Sequence, residues 1–226
     1  MAPSRLSLSR KSLFPTVKSS FTALNREEIE THIAIAKYGS FRLTDAIRPS
    51  YDLRIVPEEG YTRHVWRGAN KNVEVPLVAA MVSREKLSDL FFDLLSLMGG
   101  MVNVVLESSH SRRNGHIDYT RDEIDLPILK SRLYDFEDLL LNDGYFGIAV
   151  VDPTRRVEIR FDEHKIVSVF GSRVGDCESV FKHYHVPLRE RLRFLCEEEH
   201  LHASAPEYRS RFEVLCTQLG IERDYC

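Results

Sequence analysis

The chain has 226 residues, 43% of them apolar and 29% charged, with 31 basic against 34 acidic side chains for a formal charge of −3. Such values suit a globular protein with enough chain to bury a core unaided, and they exclude collagen-like, coiled-coil and disordered classes. The near-neutral balance argues against nucleic acid as a partner, and no apolar run nears the ~20 residues that cross a bilayer, so no membrane association is expected.

Residues 1–22 carry four basic side chains, Arg5, Arg10, Lys11 and Lys18, and no acid, which leaves −7 for the remainder. This Ser-rich segment reads as a flexible basic tail; Arg and Ser without acids also resemble an organelle transit peptide. Residues 23–226 read as a single α+β domain, with a possible subdivision near 108–124. Cys177, Cys196, Cys216 and Cys226 lie late in the chain and form no CxxC pair. They read as reduced thiols, hence a cytoplasmic setting.

Along the chain, the first helix is expected over 25–37, with Asn25 and Glu28 as a capping box and Gly39 as its stop. Residues 51–56 and 61–66 are β-prone pieces between prolines and glycines. A strand at 73–82 leads into a helix that Ser83 is placed to cap. Leu87, Leu90, Phe91, Leu94, Leu95 and Met98 repeat there at the 3.6-residue period and make one wide apolar face. Gly99 and Gly100 end it, and a strand at 101–106 completes a β-α-β pattern.

Residues 107–123 form a long polar segment, read as a loop, with Asn114-Gly115 as its turn signal. A second amphipathic helix is predicted over 126–142, its face marked by Leu129, Leu133, Phe136 and Leu140. Three short strands follow, at 145–151, 156–161 and 165–170, separated by tight turns; they predict an antiparallel meander. Helices are expected near 178–184, 187–199 and 206–220. The fold class is therefore α+β: a mixed or antiparallel sheet with a β-α-β unit and a three-strand meander, helices on one face and a helical C-terminus.

Glycine-rich phosphate loops, the GxSxG elbow, HExxH and the EF-hand loop are absent from the sequence. The polar segment is the first candidate site. Arg112 and Arg113 are suited to clamping a phosphate or carboxylate. His110, His116 and Asp118 offer nitrogen and oxygen ligands for a divalent metal such as zinc or manganese. The second is a His/Cys cluster near the C-terminus, with Cys177, His183, His185, Cys196, His200 and His202. On a helix Cys196 and His200 would share a face, although Cys196 equally suits an apolar core. The third joins Arg63, His64 and Arg67 to the only tryptophan, Trp66, as an anchor for a partner or ring-shaped ligand. The outward side chains Arg156, Glu158 and Arg160 are the fourth, read as an exposed ion-paired face.

Intact patterning without a catalytic signature favours a non-catalytic module that binds a protein partner or assembles into a homo-oligomer. The alternative is a metal- or phosphate-dependent hydrolase or transferase using the 108–124 segment, with a divalent metal as cofactor.

Overall fold

The computed structural model describes residues 19–68, 73–111 and 115–221. Eleven strands and six α-helices follow one another among them. Helix α1 (Arg26–Ala34) leads into a small hairpin of β1 (Lys37–Tyr38) and β2 (Phe41–Arg42), then β3 (Ile47–Pro49), β4 (Gly60–Arg67) and β5 (Glu74–Met81). Helix α2 (Arg84–Leu95) comes next, then the long strands β6 (Met101–Ser111) and β7 (Gly115–Asp125), and helices α3 (Leu126–Tyr134) and α4 (Glu137–Asn142). The meander β8 (Phe146–Asp152), β9 (Val157–Phe161) and β10 (Ile166–Gly171) precedes α5 (Val174–His183), the short strand β11 (His200–His202) and α6 (Pro206–Gln218).

Seven strands form one sheet in the order β4-β5-β10-β9-β8-β6-β7, every neighbouring pair antiparallel. The architecture is α+β with a helical C-terminus. β5, α2 and β6 do form a crossover between strands running the same way. Three strands of the meander sit between β5 and β6, however, so the sheet contains no parallel pairing.

The two-residue period of the strands divides the sheet into unlike faces. Val78 and Ala80 of β5, Ile148 and Val150 of β8, Ile159 and Phe161 of β9, and Val167 and Val169 of β10 point into the main core. Onto them pack the predicted stripe of α2 and the buried faces of α3, α4, α5 and α6. Leu90, Phe91, Leu94 and Leu95 have no exposed surface, and the Phe91 ring lies 5.2 Å from that of Phe161. The opposite face is covered only in part: Ala79, Met81 and Ile166 meet Phe41, Leu43, Ile47, Ile55, Leu192, Phe194 and Leu195.

Several elements differ from the sequence expectation. Residues 107–111 and 115–123 are not a loop: they belong to the paired strands β6 and β7, with Gly115 in the left-handed region at φ 65°. β7 is an edge strand, so it needs few apolar side chains and reads as polar. The helix expected over 126–142 is broken at Phe136, whose φ of −121° leaves the helical region and separates α3 from α4. Residues 51–56 form turns rather than a strand, and 187–199 are irregular apart from a 3₁₀ turn at Leu195–Glu197. The capping box of Asn25 and Glu28 is present, but α1 ends before Gly39. That glycine, at φ 60°, instead turns the β1–β2 hairpin. Ser83 stands at the N-cap of α2 without capping it; its hydroxyl donates to Glu85 and accepts from the Arg42 amide.

Phe91 carries the contact between α2 and the meander. Phe91→Ala is expected to lower unfolding stability by about 3–5 kcal/mol through lost burial and the cavity left behind. Urea unfolding followed by circular dichroism measures it, and a loss below about 1 kcal/mol would mean that this helix does not seal the sheet.

Candidate metal centre

At the end of the sheet where β8 begins and β9 turns into β10, three histidines from distant parts of the chain converge. His164 sits in the β9–β10 turn, and His200 and His202 lie on β11. Their ring centroids form a nearly equilateral triangle with sides of 5.0, 4.8 and 4.9 Å, the rings mutually edge-on. One ring nitrogen of each lies within 4.8 Å of the other two.

Backbone pairing sets this geometry. β11 pairs antiparallel with β3, placing His200 opposite Pro49 and His202 opposite Ile47. Residues i and i+2 of a strand share a face, so both rings point the same way. β3 is held by the buried Arg48, whose guanidinium donates to the carbonyls of Ile33, Thr44 and Ile47. On its other side the chain beyond β11 meets Gly144: the Gly144 amide donates to the Ala203 carbonyl, and the Ala203 amide to that of Ala46. A side chain at Gly144 would run into the carbonyls of Ala46 and Ala203. His164 is fixed by Asp162, whose Oδ1 accepts the amides of His164 and Ile166, and whose Oδ2 lies 3.5 Å from His164 Nδ1.

Hydrogen bonding decides which nitrogens are available. His200 Nδ1 lies 2.7 Å from the Glu198 carbonyl oxygen, and His202 Nδ1 lies 2.6 Å from that of Gly144. A carbonyl only accepts, so both Nδ1 atoms carry the proton. In their neutral forms both Nε2 atoms then present lone pairs, and these are 3.0 Å apart. Two lone pairs at that distance repel unless a positive particle lies between them: a proton, making one ring an imidazolium, or a metal ion. Burial, reinforced by the charge of His164, holds the pKa values of His200 and His202 below the ordinary imidazole value. Burial also opposes the charged form of His164, but the hydrogen bond and charge of Asp162, with the charge of Glu163, outweigh it and raise its pKa.

This pattern matches how imidazoles are prepared for metal. A ligating histidine commonly commits its other nitrogen to a carbonyl or carboxylate, which fixes the tautomer and ring orientation. All three histidines here have such a partner. Around a tetrahedral ion with Zn–N bonds of ~2.0–2.1 Å, ligand nitrogens stand about 3.3 Å apart. His200 and His202 are near that separation, and a ring nitrogen of His164 lies within 4.8 Å of both.

The residues singled out from the sequence are distributed differently. His110 does not join His116 and Asp118: its Nε2 lies 2.7 Å from Oδ2 of the fully buried Asp143, on the core side of the sheet. His116 Nε2 is 3.3 Å from Asp118 Oδ1 and 3.9 Å from Glu107 Oε2, so the three form a second, more exposed group with metal-ligand chemistry. Burial pushes the Glu107 carboxyl up, and the nearby charges of Asp118 and Asp162 add to that. Ser109 links the two groups, its Oγ donating to Glu163 Oε2 at 3.1 Å and lying 3.2 Å from His116 Nδ1. Arg112 and Arg113 lie outside the described residues.

Of the C-terminal cluster, only His200 and His202 come together. Cys177 is on the buried face of α5, where burial raises its thiol pKa to about 12. Cys196 is in the 3₁₀ turn rather than on a helix with His200, and His183 ends α5. Strand alternation also separates Arg63 from Trp66. Arg63 faces α5 and makes a two-pronged ion pair with Glu178 at 2.6 and 2.7 Å, while Trp66 is half-buried on the opposite face. Arg67 pairs with Glu74, and Glu158 with Arg160; Arg156 precedes β9 at φ 54° and leaves that face. The sequence signal for the centre was His200-Leu201-His202, the spacing of two ligands on a strand. No local signal marks His164.

No family model matches this chain, and no curated protein or solved structure matches it.

Behind the centre, Asp143 accepts the Tyr145 amide and the His110 ring, and its charge opposes the cost of burying Lys165. Burial pulls the Lys165 amine down to about 8, and its Nζ donates to the Phe146 carbonyl. Removing the carboxylate leaves buried polar groups uncompensated, so Asp143→Ala is expected to cost about 3–5 kcal/mol of stability. His116→Ala, at an exposed ion pair, is expected to cost about 1 kcal/mol or less. Equal losses in urea unfolding would contradict this division of the hairpin histidines.

Proposed function

We propose that this protein is a metalloprotein in which His164, His200 and His202 hold a divalent transition-metal ion of the zinc class. The observation that carries this reading is the 3.0 Å approach of His200 Nε2 and His202 Nε2 while both Nδ1 atoms are committed to carbonyl oxygens. The third imidazole in the same triangle favours a metal over a shared proton, because a proton joins two nitrogens and leaves the third without a role. Imidazole nitrogen suits Zn²⁺, and also Ni²⁺, Cu²⁺ and Fe²⁺.

Tag-free protein tests the reading. Elemental analysis is expected to find about one transition-metal ion per chain, as three histidines and an open position imply. Chelation should lower the melting temperature and zinc restore it, since an ion bound only by the native state stabilises it by mass action, about 2.7 kcal/mol at 100 times Kd. Cobalt in place of zinc should give the visible bands of a tetrahedral site. Protein that holds no metal and shows no thermal shift with zinc, cobalt or nickel would leave the shared proton as the occupant and end this reading.

The association of two copies of this chain is a second reading, favoured by the sheet face turned away from the helices. Trp66, Val75, Leu77 and Phe170 lie half-buried in one strip across β4, β5 and β10. Light scattering is expected to show a dimer that Trp66→Ala weakens. A monomer at all concentrations would remove it.

A further inference from the structure

The strongest remaining question at the histidine triangle is what its fourth side is for. Structural zinc sites are closed by four protein ligands, whereas catalytic sites use three and keep one position for water. Among the described residues, the group of mutually close ligand atoms stops at the three histidines. The site is also within reach of solvent without being bathed in it: the three residues are half-buried, and the His164 side chain is 19% exposed.

The surrounding charges narrow the substrate. Asp162 and Glu163 immediately precede His164 in the turn, and the fully buried Asp143 lies one residue before Gly144. Among the described residues, the nearby cations already have partners, Arg160 with Glu158 among them. Lys165 is buried with its amine on the Phe146 carbonyl, and Arg54 pairs with Asp52 and approaches Glu198. Among the described residues, a phosphate ester would meet carboxylates here without an arginine clamp of the kind that recognises such groups. An uncharged carbonyl compound meets no such penalty.

We infer, resting on the metal reading above, that the open position holds a water molecule and that the centre hydrolyses uncharged carboxylic esters rather than phosphate esters. Coordination brings the pKa of a zinc-bound water to about 7, so hydroxide is present at neutral pH. The water gives one proton to bulk solvent. Its oxygen forms a bond to the ester carbonyl carbon, the bond from that carbon to the leaving oxygen breaks, and the leaving alkoxide takes up a proton. One ester and one water become one acid and one alcohol, with no oxidant or reductant. His164, His200 and His202 position the nucleophile through the metal.

The test uses full-length, tag-free protein loaded with zinc and two probes, 4-nitrophenyl acetate and bis(4-nitrophenyl) phosphate. Zinc content is measured on the same samples. Acetate hydrolysis is expected to exceed that of chelator-stripped protein by at least about tenfold and to return on adding zinc. It is also expected to fall to the stripped level in His202→Ala, with circular dichroism verifying that the variant folds. The strip-and-restore comparison in the unaltered chain gives the answer should that variant not fold. Zinc bound at about one per chain without zinc-dependent ester hydrolysis would overturn the catalytic inference while leaving the metal reading intact. Absence of bound zinc would overturn the metal reading itself. Faster zinc-dependent cleavage of the phosphate diester than of the acetate would overturn the assignment of substrate class.

Discussion

Strand alternation in the central sheet is the constraint from which the rest of this molecule follows. In β5, β8, β9 and β10 every second side chain is apolar and points at the helices, and α2 to α6 close over that face without an α-helical side chain in the smaller core behind it. A one-residue slip in any of these strands would turn its buried side chains to the other face. The register of the meander is therefore specified by burial, and with it the position of every turn at the sheet's end.

That rigidity matters most at the β9–β10 turn and the start of β8. His164 is carried by the turn, and the Gly144 carbonyl that orients His202 lies two residues before the start of β8. β11 would have little reason to be a strand alone. It exists because β3 pairs with it on one side and Gly144 meets the following chain on the other. The smaller core, built around Phe41, Ile47 and Phe194, anchors the segments that bring β3 and β11 to the sheet. Core packing and the geometry of the histidine triangle are thus linked: the first sets the backbone, and the backbone sets three imidazoles edge-on to one another.

Polar groups behind the centre are arranged with equal economy. Asp143, His110 and Lys165 form a buried network between α4, β6 and β10, and the Lys165 side chain also passes 5.3 Å from the Phe161 ring at the edge of the main core. Buried charges of this kind are tolerated only when their partners are in place. The same turn that supplies His164 therefore supplies a residue whose burial depends on Asp143. Ser109 extends the polar layer outward to His116, Asp118 and Glu107.

From the sequence alone, periodicity located α2 through Leu87, Leu90, Phe91, Leu94 and Leu95, and short β-prone runs between turn signals, one of them strictly alternating, located the meander. Both signals are local, because a face buried by one element repeats at that element's own period. Asn25 and Glu28 marked the start of α1 for the same reason. The β6–β7 hairpin was hidden, since an edge strand with polar side chains such as Asp118, Thr120 and Asp122 carries no apolar alternation. His116 and Asp118 were singled out together and do lie together, but strand alternation gives them Glu107 rather than His110 as their neighbour. His200 and His202 were visible as residues and misplaced as structure, because a three-residue strand takes its conformation from its partner rather than from its own propensity. His164 could come only from the tertiary structure: nothing near it in the chain announces a site, and the folding of β8, β9 and β10 against each other carries it to β11.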